Sequence, residues 1–142
     1  METKFNFKSQ ICTDKNQSER LLALGLKKET ADMCWQTTTL NGEPITYLSQ
    51  DVWMNGSIIT NNHIPAWSLH RLLEMMPRYV HTDYNHYERT LFADSICYYK
   101  ELYNDCGENL IAFDSPELYD RIIHMYEWLI KEGYFNKKYL EE

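Results

Sequence analysis

The sequence predicts an α+β fold: a mostly antiparallel sheet with an N-terminal helix, a middle helix and a long C-terminal helix packed on it. Three observations lead there. Apolar stripes at helical spacing, bounded by capping residues, occur near both ends and once in the middle. The intervening stretches are runs of β-branched and aromatic residues broken by turn formers such as Asn-Gly. The 142 residues, 44% hydrophobic and 25% charged, suit one core, so a single domain over 1–142 is expected.

The first helix starts at Asp14, which can cap it. Gln17 three residues later completes a capping box, and Gly25 suits the left-handed position beyond the end. Its apolar face is narrow: Leu21, Leu22 and Leu24. A short helical segment over Glu29 to Met33 is expected next. The pattern then turns extended. Trp35-Gln36-Thr37-Thr38-Thr39 and Ile45-Thr46-Tyr47-Leu48 flank Asn41-Gly42, a dipeptide that tolerates the positive φ angles of a type I′ turn, so a hairpin is predicted. Asn55-Gly56 repeats the signal between Val52-Trp53-Met54 and Ser57-Ile58-Ile59, a short pair that reads equally as a surface loop or an edge hairpin.

The middle helix is predicted over 65–76. Pro65 fits a first turn, Leu69, Leu72, Leu73 and Met76 share a face, and Pro77 stops the run. Residues 78–113 then read as a β-meander. Its strands are Tyr79-Val80-His81, Thr90-Leu91-Phe92-Ala93, Ile96-Cys97-Tyr98-Tyr99 and Leu110-Ile111-Ala112-Phe113, with turns at Asp83-Tyr84-Asn85 and Asn104-Asp105-Cys106-Gly107. In the last helix Ser115 is the expected cap and Pro116 the first residue. Leu118, Ile122, Met125, Tyr126 and Leu129 form its stripe, and Gly133 ends it. The polar tail from Asn136 is expected to fray.

Composition excludes several functions. No apolar run approaches the roughly 18 residues of a membrane span, and the first residues lack the apolar stretch of a secretory signal, so a soluble, cytoplasmic protein is expected. With 14 Lys+Arg against 21 Asp+Glu the net charge is −7, which disfavours general binding to a phosphate backbone. Tyr98 and Tyr99 with Arg78 or Lys100 could form a base-stacking platform, but no cationic cluster supports one. The acids are interspersed with bases, as on an ordinary acidic surface, which argues against a nucleic-acid mimic.

Several stretches have a shared look. Asn6-Phe7-Lys8-Ser9-Gln10-Ile11-Cys12-Thr13, Arg20-Leu21-Leu22-Ala23-Leu24-Gly25-Leu26 and Glu29-Thr30-Ala31-Asp32-Met33 resemble uncharacterised small proteins of gut-bacterial genomes and their prophages. So do 65–77, from Pro65-Ala66-Trp67 to Met76-Pro77, and Trp128-Leu129-Ile130-Lys131-Glu132-Gly133-Tyr134. The resemblance spans most of the chain. It implies a phage or mobile-element setting and carries no known activity.

No catalytic motif gathers along the chain. Cys12, Cys34, Cys97 and Cys106 show no C-x-x-C pair and are expected to stay reduced. Cys97 reads as a buried, inert thiol and Cys106 as an exposed turn residue without a cation beside it. The histidines, His63, His70, His81, His86 and His124, match no metal-ligand spacing, although His81, Asp83 and His86 could converge across a turn. Nucleophile elbow, P-loop and dinucleotide fingerprint are all missing from the sequence. The acid pairs Asp83 with Glu88 and Asp105 with Glu108 read as solvated turn residues. No catalytic residue, metal or cofactor is therefore assigned.

What remains is contact with another protein. Aromatics make up 14% of the chain, with 11 Tyr and 4 Trp, residues that serve cores and contact surfaces alike. Trp53, Trp67 and Trp128 are the candidates, and Arg121, Tyr126 and Trp128 are expected to form part of a partner or self-association surface. A non-enzymatic, homo-oligomeric interaction protein is the leading expectation. The alternative is a small enzyme or ligand-binding domain whose polar residues meet only in three dimensions.

Overall fold

The computed structural model describes residues 9–49, 63–102 and 106–142. In chain order the elements are α1 (Lys15–Ala23), β1 (Met33–Leu40), β2 (Glu43–Ser49), β3 (His63–Ala66), α2 (Leu69–Met75), β4 (Tyr79–His81), β5 (His86–Leu91), β6 (Ser95–Glu101), β7 (Gly107–Asp114) and α3 (Leu118–Glu132). The α+β class and the three helices are as expected. The strands divide into two antiparallel sheets, ordered β2-β1-β3 and β4-β5-β6-β7. The second Asn-Gly segment, at 52–59, and Trp53 lie outside the described residues, as do Asn104 and Asp105 of the turn at 104–107.

The capping box of α1 is present: Asp14 accepts from the Gln17 amide at 2.8 Å, and Gln17 Oε1 accepts from the Asp14 amide at 3.0 Å. Gly25 has φ +97°, and Leu26 is buried beneath the last turn. The expected helix at 29–33 shrinks to one 3-10 turn, Lys28–Thr30, because β1 already begins at Met33.

The middle helix is shorter than predicted. Pro65 is not in its first turn but in strand β3, paired with Cys34, and the helix begins after Ser68. Proline suits this place because β3 is an edge strand, where an amide donor can be spared. Ser68 Oγ caps α2 by accepting from the Arg71 amide at 3.1 Å, and the Asp32 carboxylate accepts from both the Ser68 amide (2.9 Å) and hydroxyl (2.5 Å). At the other end, carbonyls left open by α2 are met from the sheet, and Leu72 O, which already accepts from the Met76 amide, takes a second donor from α3. Arg89 Nη1 donates to Leu73 O (2.5 Å) and Met76 O (3.0 Å), and Tyr126 Oη donates to Leu72 O at 2.5 Å.

Strand β5 starts at His86 rather than Thr90 and turns at Phe92. One face of the four-stranded sheet buries Val80, Tyr87, Ile96 and Tyr98 against α3, whose Ile122, Met125, Tyr126 and Leu129 are fully buried. Glu117, not Ser115, is the cap residue of α3. It makes no side-chain cap bond, and Ser115 Oγ instead accepts from the Glu117 amide at 3.3 Å. Gly133 closes the helix at φ +81°. The tail is held rather than frayed. The Lys27 amide donates to Tyr139 O at 2.8 Å and the Glu141 amide to Gly25 O at 2.7 Å.

The three-stranded sheet is tied to the start of α1 around Thr13. Its amide donates to Trp67 O (2.9 Å), its carbonyl accepts from Trp35 Nε1 (2.9 Å), and its buried hydroxyl bonds Ser18 (2.8 Å) and accepts from the Trp67 amide (3.1 Å). A second, small apolar cluster forms there from Cys12, Met33 and Ala66, flanked by Trp35 and Leu48.

Candidate interaction surface

The residues singled out in the sequence face mostly inward. Tyr126 is fully buried and spends its hydroxyl on Leu72 O. Arg121 is buried with its guanidinium turned onto the β5–β6 turn, Nη1 donating to Phe92 O (3.3 Å) and Ala93 O (3.1 Å). Trp128 is half-buried and rests between Tyr98 and Tyr134, with ring centroids 6.2 and 5.4 Å away. Arg121, Tyr126 and Trp128 thus fasten α3 to its surroundings, and only Trp128 keeps substantial surface. The reason is geometric: Tyr126 lies on the apolar stripe itself, and Arg121 faces the turn that the start of α3 crosses. Trp67 is fully buried, its indole N–H donating to Thr30 Oγ1 at 2.9 Å.

His81 and His86 do converge. They are directly opposite one another across the β4–β5 hairpin, ring centroids 5.8 Å apart, with Tyr79 about the same distance from both. Asp83 does not join them: among the described residues no group of three or more His, Cys, Asp or Glu is placed to hold a metal ion. Beside them Tyr79, His86, Glu88, Tyr99, Lys100 and Glu101 line a shallow groove of about 260 Å³. Arg78 lies over the Tyr79 ring and reaches Glu88 at 3.5 Å, while Lys100 Nζ is held by Asn85 Oδ1.

The clearest shifts in acidity belong to buried thiols and phenols. Burial, reinforced by Asp32 and Asp14, pushes the Cys12 thiol up to about 11. Burial likewise raises Cys97 and Tyr98, and raises Tyr119 to about 12. Each is held in its neutral form, the opposite of what an attacking thiolate or a phenolate base requires.

Exposed large apolar side chains are spread over Ile11, Tyr79, Tyr84, Leu91, Phe92 and Leu102, but three more, Leu40, Ile45 and Tyr47, gather on the Asn41-Gly42 hairpin. Strands β1 and β2 are buried only near Met33 and Cys34, and from Thr37 to Tyr47 both are exposed. Together they form an arm. Its register pairs Leu40 with Glu43, Thr38 with Ile45 and Gln36 with Tyr47. Directly opposed residues share a face, so Leu40, Ile45 and Tyr47 form one stripe. These three side chains are 57%, 38% and 44% exposed. Tyr47 Oη donates to Gln36 Oε1 at 2.8 Å, which fixes the ring along the arm. The other face carries Thr37, Thr39, Pro44 and Thr46, with the Thr37 and Thr46 hydroxyls 3.2 Å apart. The signal available in the sequence was Thr37-Thr38-Thr39. Three threonines in a row give that half of β1 no apolar face, so it cannot cover a core.

Comparison with family models, with characterised proteins and with solved structures finds no match for this chain. No helix among the described residues is long and apolar enough to cross a membrane.

Proposed function

We propose that this chain is a non-enzymatic protein-interaction protein whose contact element is the β1–β2 arm, working in the phage or mobile-element setting that its sequence resemblance implies. One observation carries the reading: an exposed apolar stripe, Leu40, Ile45 and Tyr47, stands on a hairpin that is exposed on both sides along its outer part. A hairpin of this kind contributes little to its own fold, since strands gain stability from a covered face. Apolar side chains kept in water on such an element are what a contact surface needs. Ile45 and Tyr47 sit on the same strand, two residues apart, and so present adjacent anchors to one partner surface.

The test is a triple variant, Leu40→Ser, Ile45→Thr and Tyr47→Ser, compared with wild type by affinity capture and mass spectrometry in the native host. Loss of the captured proteins with unchanged circular dichroism is the expected result. Retention of every partner by the triple variant would exclude the arm as the contact element.

A further inference from the structure

We propose that β2 pairs, antiparallel, with the β2 strand of a second copy of this chain about a twofold axis at Tyr47, joining two three-stranded sheets into one of six. The proposal rests on the arm being the contact element and names what it contacts.

The turn sets the direction of every backbone group on β2. Asn41 (φ +52°) and Gly42 (φ +81°) form a two-residue turn closed by Leu40 and Glu43, and in such a turn the closing residues exchange both backbone bonds. Alternation along an antiparallel ladder then directs the amides and carbonyls of Glu43, Ile45, Tyr47 and Ser49 toward β1. Those of Pro44, Thr46 and Leu48 point the other way, where β2 is the edge strand and has no neighbour among the described residues. Pro44 has no amide hydrogen. Between Pro44 and Leu48 the open edge therefore keeps three acceptors, the carbonyls of Pro44, Thr46 and Leu48, but only two donors, the amides of Thr46 and Leu48, set symmetrically about Tyr47.

That symmetry suits a twofold partner. With Tyr47 opposite Tyr47 of the second copy, the Thr46 amide donates to Leu48 O of the copy and the Leu48 amide to its Thr46 O. The reciprocal pair makes four bonds in all. A slip of one residue sets outward groups against ladder groups. The slip of two that centres the pair on Thr46 puts Pro44 opposite Leu48; its outer bonds then run one way only, from the Leu48 amide to Pro44 O, and each copy keeps a Leu48 carbonyl without a donor. Of these two registers, the one centred on Tyr47 is the one in which every bonded pair is reciprocal. The axis pair is a tyrosine pair at a non-hydrogen-bonded position, where side chains approach most closely, and the two exposed stripes become continuous.

Charge and the other edges favour the same place. Two copies each carrying −7 repel, and between Gln36 and Leu48 Glu43 is the one charged residue. The outer edge of β3 is interrupted by Pro65. Pro65 faces Cys34, whose backbone bonds go to β2, so the proline's missing donor lies on the open side. β4 has three residues. β7 is long enough, but a twofold pair centred on Ile111 sets Glu108 against Asp114 of the copy, like charge on like.

Sedimentation equilibrium of the wild-type chain is expected to show a concentration-dependent dimer, and Thr46→Pro to weaken it at least tenfold. That substitution removes an outward donor and leaves the β1 ladder bonds of Ile45 and Tyr47 in place, which an unchanged circular dichroism spectrum and melting temperature check. In a Cys106→Ser background, Tyr47→Cys is expected to form a disulfide-linked dimer on mild oxidation and Ile45→Cys is not. Crosslinking through position 45 in preference to 47 overturns the register. A wild-type chain that stays monomeric to millimolar concentration overturns self-pairing; if the triple arm variant then still loses captured proteins, the arm reading stands without it. If the variant loses none, both fall.

Discussion

The β1–β2 arm and the β4–β7 sheet are both antiparallel and have opposite fates. Both use strand-forming residues, but the arm leans on threonine (Thr37, Thr38, Thr39 and Thr46) and the four-stranded sheet on tyrosine (Tyr79, Tyr87, Tyr98 and Tyr99). The four-stranded sheet offers Val80, Tyr87, Ile96 and Tyr98 to α3 on one side and Tyr79, His81, His86 and Glu88 to solvent on the other. The arm has an apolar stripe too, but none of the described helices lies on its outer part. Strand propensity says that a segment will extend; whether a face is covered depends on what else the chain has left to cover it. With α3 committed to the four-stranded sheet and α1 lying against α3, the outer arm is left uncovered by the described helices.

The largest test of this contrast is in the core. Trp67 is fully buried and bonds Thr30 and Thr13. Trp67→Ala is expected to lower stability by about 3–5 kcal/mol in chemical denaturation, the usual range for removing a buried aromatic. A loss below about 1 kcal/mol would mean that the end of β3, where Trp67 sits, is not part of the cooperative core. Next is Arg89, whose guanidinium meets two free carbonyls at the end of α2. Arg89→Met keeps most of the apolar stem and removes both bonds, with an expected cost of about 1.5–3 kcal/mol. If Arg89→Lys restores most of that loss, one charge at the helix terminus suffices; if it does not, the forked geometry is required.

Tyr126→Phe isolates a single bond. It removes the hydroxyl that donates to Leu72 O and leaves the ring packed on Phe135, for an expected loss of about 1 kcal/mol. Partner capture should be unchanged, because Tyr126 is inside. Reduced capture at unchanged stability would return the contact surface to α3 and undo the contrast between core and arm.

Much of this fold was legible in the chain because local rules and tertiary packing agree there. Asp14 and Gln17 cap α1, Asn41-Gly42 turns the arm, and the stripe from Leu118 to Leu129 buries itself on the sheet. Where they disagree, the reading went astray. Pro65 fits a helix start locally, yet pairing with Cys34 takes it into β3. Ser115 is a good cap by type, but the helix begins two residues later, after Glu117. The tail is polar in composition, yet its backbone bonds to Gly25 and Lys27 hold it. Two of the three candidate surface residues, Arg121 and Tyr126, are buried for a related reason. Arg, Tyr and Trp are the residue types of contact hot spots, and they are equally the types that fasten a helix to loops and sheets, as Arg121 does with two turn carbonyls. Residue type alone does not separate these roles. The informative signal was a strand with no apolar face, Thr37-Thr38-Thr39.

The smallest expected effect is the sharpest on the arm. Leu40 and Ile45 are among the larger apolar side chains on this surface, and neither belongs to the described apolar clusters. Leu40→Ser and Ile45→Thr, made singly, are each expected to change the denaturation midpoint by no more than about 0.5 kcal/mol, as for other substitutions away from packed features. The threonine keeps β-branching at position 45, so the extended backbone is preserved while the apolar surface shrinks. Stability and interaction then separate on one pair of variants. If either substitution costs 2 kcal/mol or more in the isolated chain, the stripe is packed against the chain's own residues in solution. The arm would then be a second core rather than a surface held open for a partner.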